Sequence, residues 1–131
     1  HPDQEWMQAF MKGVAEKNLR VDFITVHTYG GLNVDELMNQ LSSVHQAFQR
    51  PLWLTEFAVG DWEAKTRADN RYQPAQIVKF IEEALPRLDQ CAFVERYAWF
   101  PAKPDDSALG PCALFNADGS LTSVGQAYRS V

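Results

Sequence analysis

Three short runs rich in β-branched and aromatic residues, each followed by a stretch with helical periodicity or a closing helical tail, constrain this chain most. They are "RVDFITVHTYGG", "RPLWLTEFAVG" and "AFVERYAWF". Val21, Phe23, Ile24 and Val26 make the first a buried strand, stopped by Gly30 and Gly31. Asn33 then caps a helix, with Glu36 as its capping-box partner, and Val34, Leu37, Met38, Leu41, Val44 and Phe48 fall on one face. Leu52 to Phe57 reads as the second strand, and Pro74 opens a second helix carrying Ile77, Phe80, Ile81, Ala84 and Leu85. Ala92 to Phe100 is the third strand, followed by a long loop, the turn "NADGS" and a short helical tail from Ser123. A further amphipathic helix precedes them from Pro2 to about Lys17, with Trp6, Phe10, Val14, Met7 and Met11 at helical spacing and Trp6 expected in the core. Strands separated by helices pair in parallel through right-handed crossovers, so the fold class is α/β.

A length of 131 residues allows one domain. Two architectures fit: a small doubly wound sheet, or the C-terminal three βα units, with a preceding helix, of a (β/α)8 TIM barrel that needs about 250 residues in full.

Charge and cysteine content narrow the function classes. A net charge of −5 without a clustered basic face argues against nucleic acid as a partner. No apolar run approaches the roughly 18 residues of a membrane span, so no membrane role is expected. Cys91 and Cys112 lack the spacing of a zinc motif, so no metal is expected. The strand between them spans roughly 23 Å and a disulfide needs Cα atoms within about 7 Å, which predicts two free thiols. The chain begins at His1 without a leader, which leaves its compartment open.

Parallel α/β folds assemble ligand sites at the carboxyl ends of their strands. Glu56 ends the second apolar run, Thr25, His27 and Tyr29 share one side of the first strand, and Tyr97 and Trp99 share one side of the third. Strict alternation places Leu52 and Leu54 below Glu56 in a barrel interior and sends Trp53 and Thr55 to the outer helices. His27, Tyr29, Glu56 and Trp99 are thereby expected to converge. Trp62, in the loop after Glu56, either stacks on a ligand or packs within its loop; Asp61, Glu63, Asp105 and Asp106 occupy strand-following loops as well, each either a solvated carboxylate or a candidate replacement acid. Taken singly, a strand-end glutamate also fits a solvated boundary residue, and His27 a structural histidine.

"DFITVHTYGG", "PLWLTEFAV", "VERYAWF" and "NADGSLTSVGQAY" together resemble the C-terminal part of glycoside hydrolase family 128, (β/α)8-barrel enzymes that cleave β-1,3-glucans. The resemblance runs from Val21 to Tyr128 in the same order. It implies Glu56 as the nucleophile of a retaining double displacement, Tyr29 as the group orienting that carboxylate, His27 as part of a glucose subsite and Trp99 as an aromatic platform under a sugar ring. The implied partner is a β-glucan polysaccharide or oligosaccharide. No cofactor is implied, and an extracellular setting follows only from the resemblance.

The sequence departs from the family in one respect. Retaining glycosidases use two carboxyls about 5–5.5 Å apart, and the family's acid/base glutamate lies in an Asn-Glu-Pro motif on an earlier strand, which is not found here. The expectation is a partial catalytic domain, residues 1–131, whose acid/base comes from an upstream barrel segment. Two other classes stay open. A carbohydrate-binding pseudoenzyme would lack a workable upstream acid, and a small non-catalytic α/β interaction domain would be a stable monomer by itself. Against the latter, three strands cut from a closed barrel expose unpaired edges and an uncovered face.

Overall fold

The structure is a computed structural model that describes residues 5–130. The elements run α1 (Glu5–Glu16), β1 (Ile24–Gly30), α2 (Val34–Phe48), β2 (Leu52–Val59), α3 (Pro74–Asp89), β3 (Val94–Trp99) and α4 (Ser123–Ser130), with single 3-10 turns at Arg67–Asp69 and Gly110–Cys112. The expected start of the first helix at Pro2 lies outside the described residues. The strands form one parallel sheet in the order β1-β2-β3.

Local chemistry sets the helix boundaries. The Asn33 side chain accepts the Glu36 N–H at 3.1 Å, and α2 ends where Gln49 turns left-handed at φ 52°. Pro74 occupies the first turn of α3, where its missing N–H has no intrahelical partner to lose. In the turn "NADGS" Phe115 and Leu121 pair antiparallel, and Gly119 takes the left-handed φ of 83° that its neighbours would resist.

One face of the sheet is the core. Ile24 and Val26 of β1 and Leu52 and Leu54 of β2 are buried with Leu41 and Val44 of α2 and Ile77, Ile81 and Leu85 of α3. The opposite face carries Thr25 and His27 and is open. Strict alternation fails in β2, and the expected placement of Leu52, Leu54, Trp53 and Thr55 is corrected. Val26 pairs with Leu54 but the next residue, His27, pairs with Glu56, so Thr55 is one residue too many. On the other edge three steps of β2, Leu54 to Phe57, match two of β3, Tyr97 to Trp99. This bulge resets the phase: Leu52 and Leu54 face the helices, Glu56 faces the open side with His27, and Phe57 returns to the core. Thr55 Oγ1 is left buried without a hydrogen-bond partner, a local cost of the irregularity.

Two tryptophans also depart from expectation. Trp53 lies on the open face rather than under a helix, stacked 3.8 Å from Phe23, with Arg96 over its ring at 4.9 Å and its indole N–H donated to Glu95. Trp6 is 61% exposed instead of buried. Helix α1 meets the core through Met7, Met11 and Val14, one stripe at i, i+4, i+7, and Trp6 with Phe10 lies on the neighbouring stripe.

Candidate active site

Glu56 sits near the downstream end of β2 with about a third of its side chain exposed. Tyr29, at the downstream end of β1, donates its hydroxyl to Glu56 Oε2. His27 Nδ1 stands 3.4 Å from the same oxygen, an ion-pair distance that is operative when the imidazole is protonated. Both contacts fall on the same carboxylate oxygen, Oε2. Burial first, and then the bond to Glu56, push the Tyr29 phenol well above its usual range, so it stays a protonated donor.

Two aromatic rings flank Tyr29. Trp62 meets Tyr29 edge-on at 5.9 Å, is 65% exposed, and directs its indole N–H at the Tyr29 carbonyl at 3.4 Å. Phe100, one residue beyond β3, meets the other edge of Tyr29 at 5.5 Å. His27, Tyr29 and Glu56 therefore lie together at the strand ends, and Trp62 reaches Tyr29 from the loop after β2.

Trp99 does not join them. It is 4% exposed and lies among Phe57, Phe80 and Tyr128, with its indole N–H donated to the Cys112 carbonyl at 2.9 Å. Tyr97 and Trp99 do share a side of β3, but that side faces the helices. Tyr97 reaches Asp89 at the end of α3. Phe100 is the aromatic residue that β3 delivers to the site, and its position directly after the strand is the signal that the sequence held.

The loops after β2 and β3 are tied together. Asp61 accepts from the Arg71 guanidinium at 2.7 Å and the Arg71 N–H at 2.9 Å, and its own N–H donates to the Ala108 carbonyl at 3.1 Å. Asn70 is buried and donates to the carbonyls of Ser107 and Ala108, both at 2.8 Å. The Arg71 guanidinium holds the Asp61 carboxyl far below the usual carboxylate range. An acid that strong has no proton to give at neutral pH, so Asp61 is unsuited to replace a general acid. Glu63 is bonded to Arg71, and Asp106 accepts the N–H groups of Ala108 and Leu109, which assigns both to loop structure. Asp105 is exposed.

Cys91 and Cys112 are free, and Cys112 donates its thiol to the Val59 carbonyl, burial pushing its pKa up to about 12. Among the described residues no group of three or more His, Cys, Asp or Glu is placed to hold a metal ion, and no helix is long and apolar enough to cross a membrane.

A family model described as glycosyl hydrolase catalytic core matches residues 1–128. Among solved structures, the chain is similar to a family 128 subgroup I endo-β-1,3-glucanase from Amycolatopsis mediterranei in complex with laminarihexaose, at 34% identity and a TM-score of 0.80, over 99% of this chain and 53% of that one. It is also similar to a subgroup III curdlan-specific exo-β-1,3-glucanase from Blastomyces gilchristii in complex with glucose, at 33% identity and a TM-score of 0.69, over 96% of this chain and 47% of that one. A curated relative, Alkali-sensitive linkage protein 1 of Schizosaccharomyces pombe, is 33% identical over 97% of this chain and 23% of its own length. The chain thus spans about half of these structural relatives and about a quarter of the curated one.

Proposed function

The chain belongs to the glycosyl hydrolase catalytic core family, and on that premise we propose that it is the part of a family 128 β-1,3-glucan hydrolase that carries the nucleophile. The observation that supports this reading best is the Tyr29 hydroxyl on Oε2 of Glu56 at the carboxyl end of a parallel sheet.

In this reading residues 1–131 are a partial catalytic domain, three βα units and a preceding helix of a (β/α)8 barrel. Upstream strands cover the open face that bears Thr25, His27, Trp53 and Arg96. The span of about half of each family 128 structure supports this division.

The reaction is a retaining double displacement. An upstream carboxylic acid gives its proton to the glycosidic oxygen as Glu56 Oε1 attacks the anomeric carbon; the C–O bond to the leaving sugar breaks and a glycosyl ester forms. The upstream carboxylate then takes a proton from water, whose oxygen attacks the same carbon and releases Glu56. Tyr29 fixes the carboxylate by holding Oε2, so that the other oxygen points at the sugar. His27 lines the glucose subsite beside it. Trp62 offers an exposed indole to the apolar face of a sugar ring. No step requires a metal or an organic cofactor.

The test is release of reducing sugar from a soluble β-1,3-glucan by the full-length parent protein, native and Glu56→Gln side by side. Activity that collapses in the variant is expected. Activity that survives moves the nucleophile elsewhere, and inactivity of the native protein with retained glucan binding identifies a carbohydrate-binding protein instead.

A further inference from the structure

Trp62 combines two properties that seldom coincide, since its ring is 65% exposed and yet held from several sides. The indole N–H points at the Tyr29 carbonyl and the ring meets the Tyr29 edge. Beneath it lies Gly60, where a Cβ would stand 3.2 Å from Trp62 Cε2 and Cζ2 and 3.1 Å from Leu109 Cδ2. The backbone on either side of the indole is fixed by one carboxylate. Asp61 Oδ1 accepts from the Glu63 N–H at 3.3 Å and from Arg71 Nη2, Oδ2 accepts from the Arg71 N–H, and the Asp61 carbonyl accepts from the Ala64 N–H at 3.2 Å. Asp61 is 3% exposed, although its loop is at the surface.

An isolated exposed tryptophan samples several rotamers and loses that freedom on binding. A ring already held in place avoids most of that cost. We propose that Gly60 and Asp61 are positioning residues that fix the Trp62 indole as a preformed stacking surface for a sugar ring beside Glu56. This rests on the glucan-hydrolase reading given above. Gly60 gives the ring room to lie down, and Asp61, through Arg71 and the Glu63 N–H, keeps the loop from carrying it away. The Arg71 guanidinium holds the Asp61 carboxyl well below the usual carboxylate range, so it accepts these bonds as a carboxylate at neutral pH.

The experiment is a set of variants of the full-length protein, Asp61→Asn, Gly60→Ala, Trp62→Ala and the double Asp61→Asn/Trp62→Ala, assayed on a soluble β-1,3-glucan. Each single substitution is expected to raise KM about fivefold to tenfold with kcat within about twofold, the signature of lost uniform binding. The double variant is expected to be no worse than Trp62→Ala alone, because Asp61 acts only through that ring. Gly60→Ala keeps the test independent of folding defects at Asp61, since its backbone requires no left-handed φ. KM effects of Asp61→Asn and Trp62→Ala that multiply in the double variant overturn the inference, as does a fall in kcat at unchanged KM in Asp61→Asn and Gly60→Ala. A native protein that hydrolyses no glucan overturns the proposed function itself, a different result from active enzyme with multiplying effects.

Discussion

Tyr29 and Glu56 are joined across neighbouring strands, the phenol of one donating to Oε2 of the other. The bulge at Thr55 creates that relationship. With strict alternation from Leu54, Glu56 would share the helix-facing side with Ile81 and Leu85; the extra residue turns it to the side of His27 and Tyr29. A single inserted residue thus decides whether this glutamate lies in a core or in a site.

Tyr29→Phe removes a neutral donor to a carboxylate while keeping the ring against Trp62 and Phe100. A hydrogen bond to a charged group is worth about 1.5–3 kcal/mol. On the full-length protein kcat/KM is expected to fall about 10- to 100-fold, while far-UV circular dichroism stays unchanged.

Alkaline pH separates the tyrosines. Burial and the bond to Asp89 push Tyr97 up to about 12, and Tyr29 is raised further by burial and by Glu56. A phenol whose folded pKa exceeds its unfolded value favours the fold fully below the unfolded pKa of about 10 and loses that contribution as the pH rises through the folded one. Stability is therefore expected to decline from about pH 10 upward, and Tyr97→Phe to flatten part of that decline. Urea unfolding across this range checks it, with phenolate absorbance reporting when each ring ionises.

The sequence carried most of the fold and only part of the site. Strand and helix positions followed from local pattern: the Asn33 cap, Pro74 at a helix start and the Asp118-Gly119 turn each act within a few residues. The proximity of Glu56, His27 and Tyr29 was legible because the carboxyl ends of neighbouring parallel strands lie side by side. The bulge was not legible, because one extra residue in an apolar run leaves no compositional trace, and the side assignments of Leu52, Leu54 and Trp53 went astray with it. Trp99 faces the helices for a different reason: the sequence shows which residues of β3 share a side but not which side α3 and α4 cover. The Asp61–Arg71 pair joins loop positions ten residues apart, a meeting that exists only once the loop has folded.

Two glycines at helical positions should respond oppositely to a methyl group. Gly125 of α4 lies against the Leu114 carbonyl, where a Cβ would come within 2.1 Å of the oxygen, whereas nothing lies within 4 Å of a Cβ at Gly13 of α1. Gly125→Ala is expected to destabilise by about 3 kcal/mol, the upper part of the usual overpacking range. Gly13→Ala is expected to stabilise by about 0.5–1 kcal/mol. Denaturant titration of both variants decides it.

The open face predicts how the 131-residue segment behaves alone. Phe23 and Trp53 stack there half-exposed under Arg96, and among the described residues β1 and β3 are the edges of the sheet. Self-association at micromolar concentration is expected in sedimentation velocity. A cooperatively unfolding monomer would favour a self-contained domain.

The most direct test of the central claim is covalent trapping on the full-length protein with a 2-deoxy-2-fluoro β-glucosyl or β-laminaribiosyl donor bearing an activated leaving group, followed by peptide mass mapping. One sugar ester is expected, on the peptide containing Glu56. An adduct on another carboxylate, or hydrolysis with inverted anomeric configuration and no adduct, would contradict it.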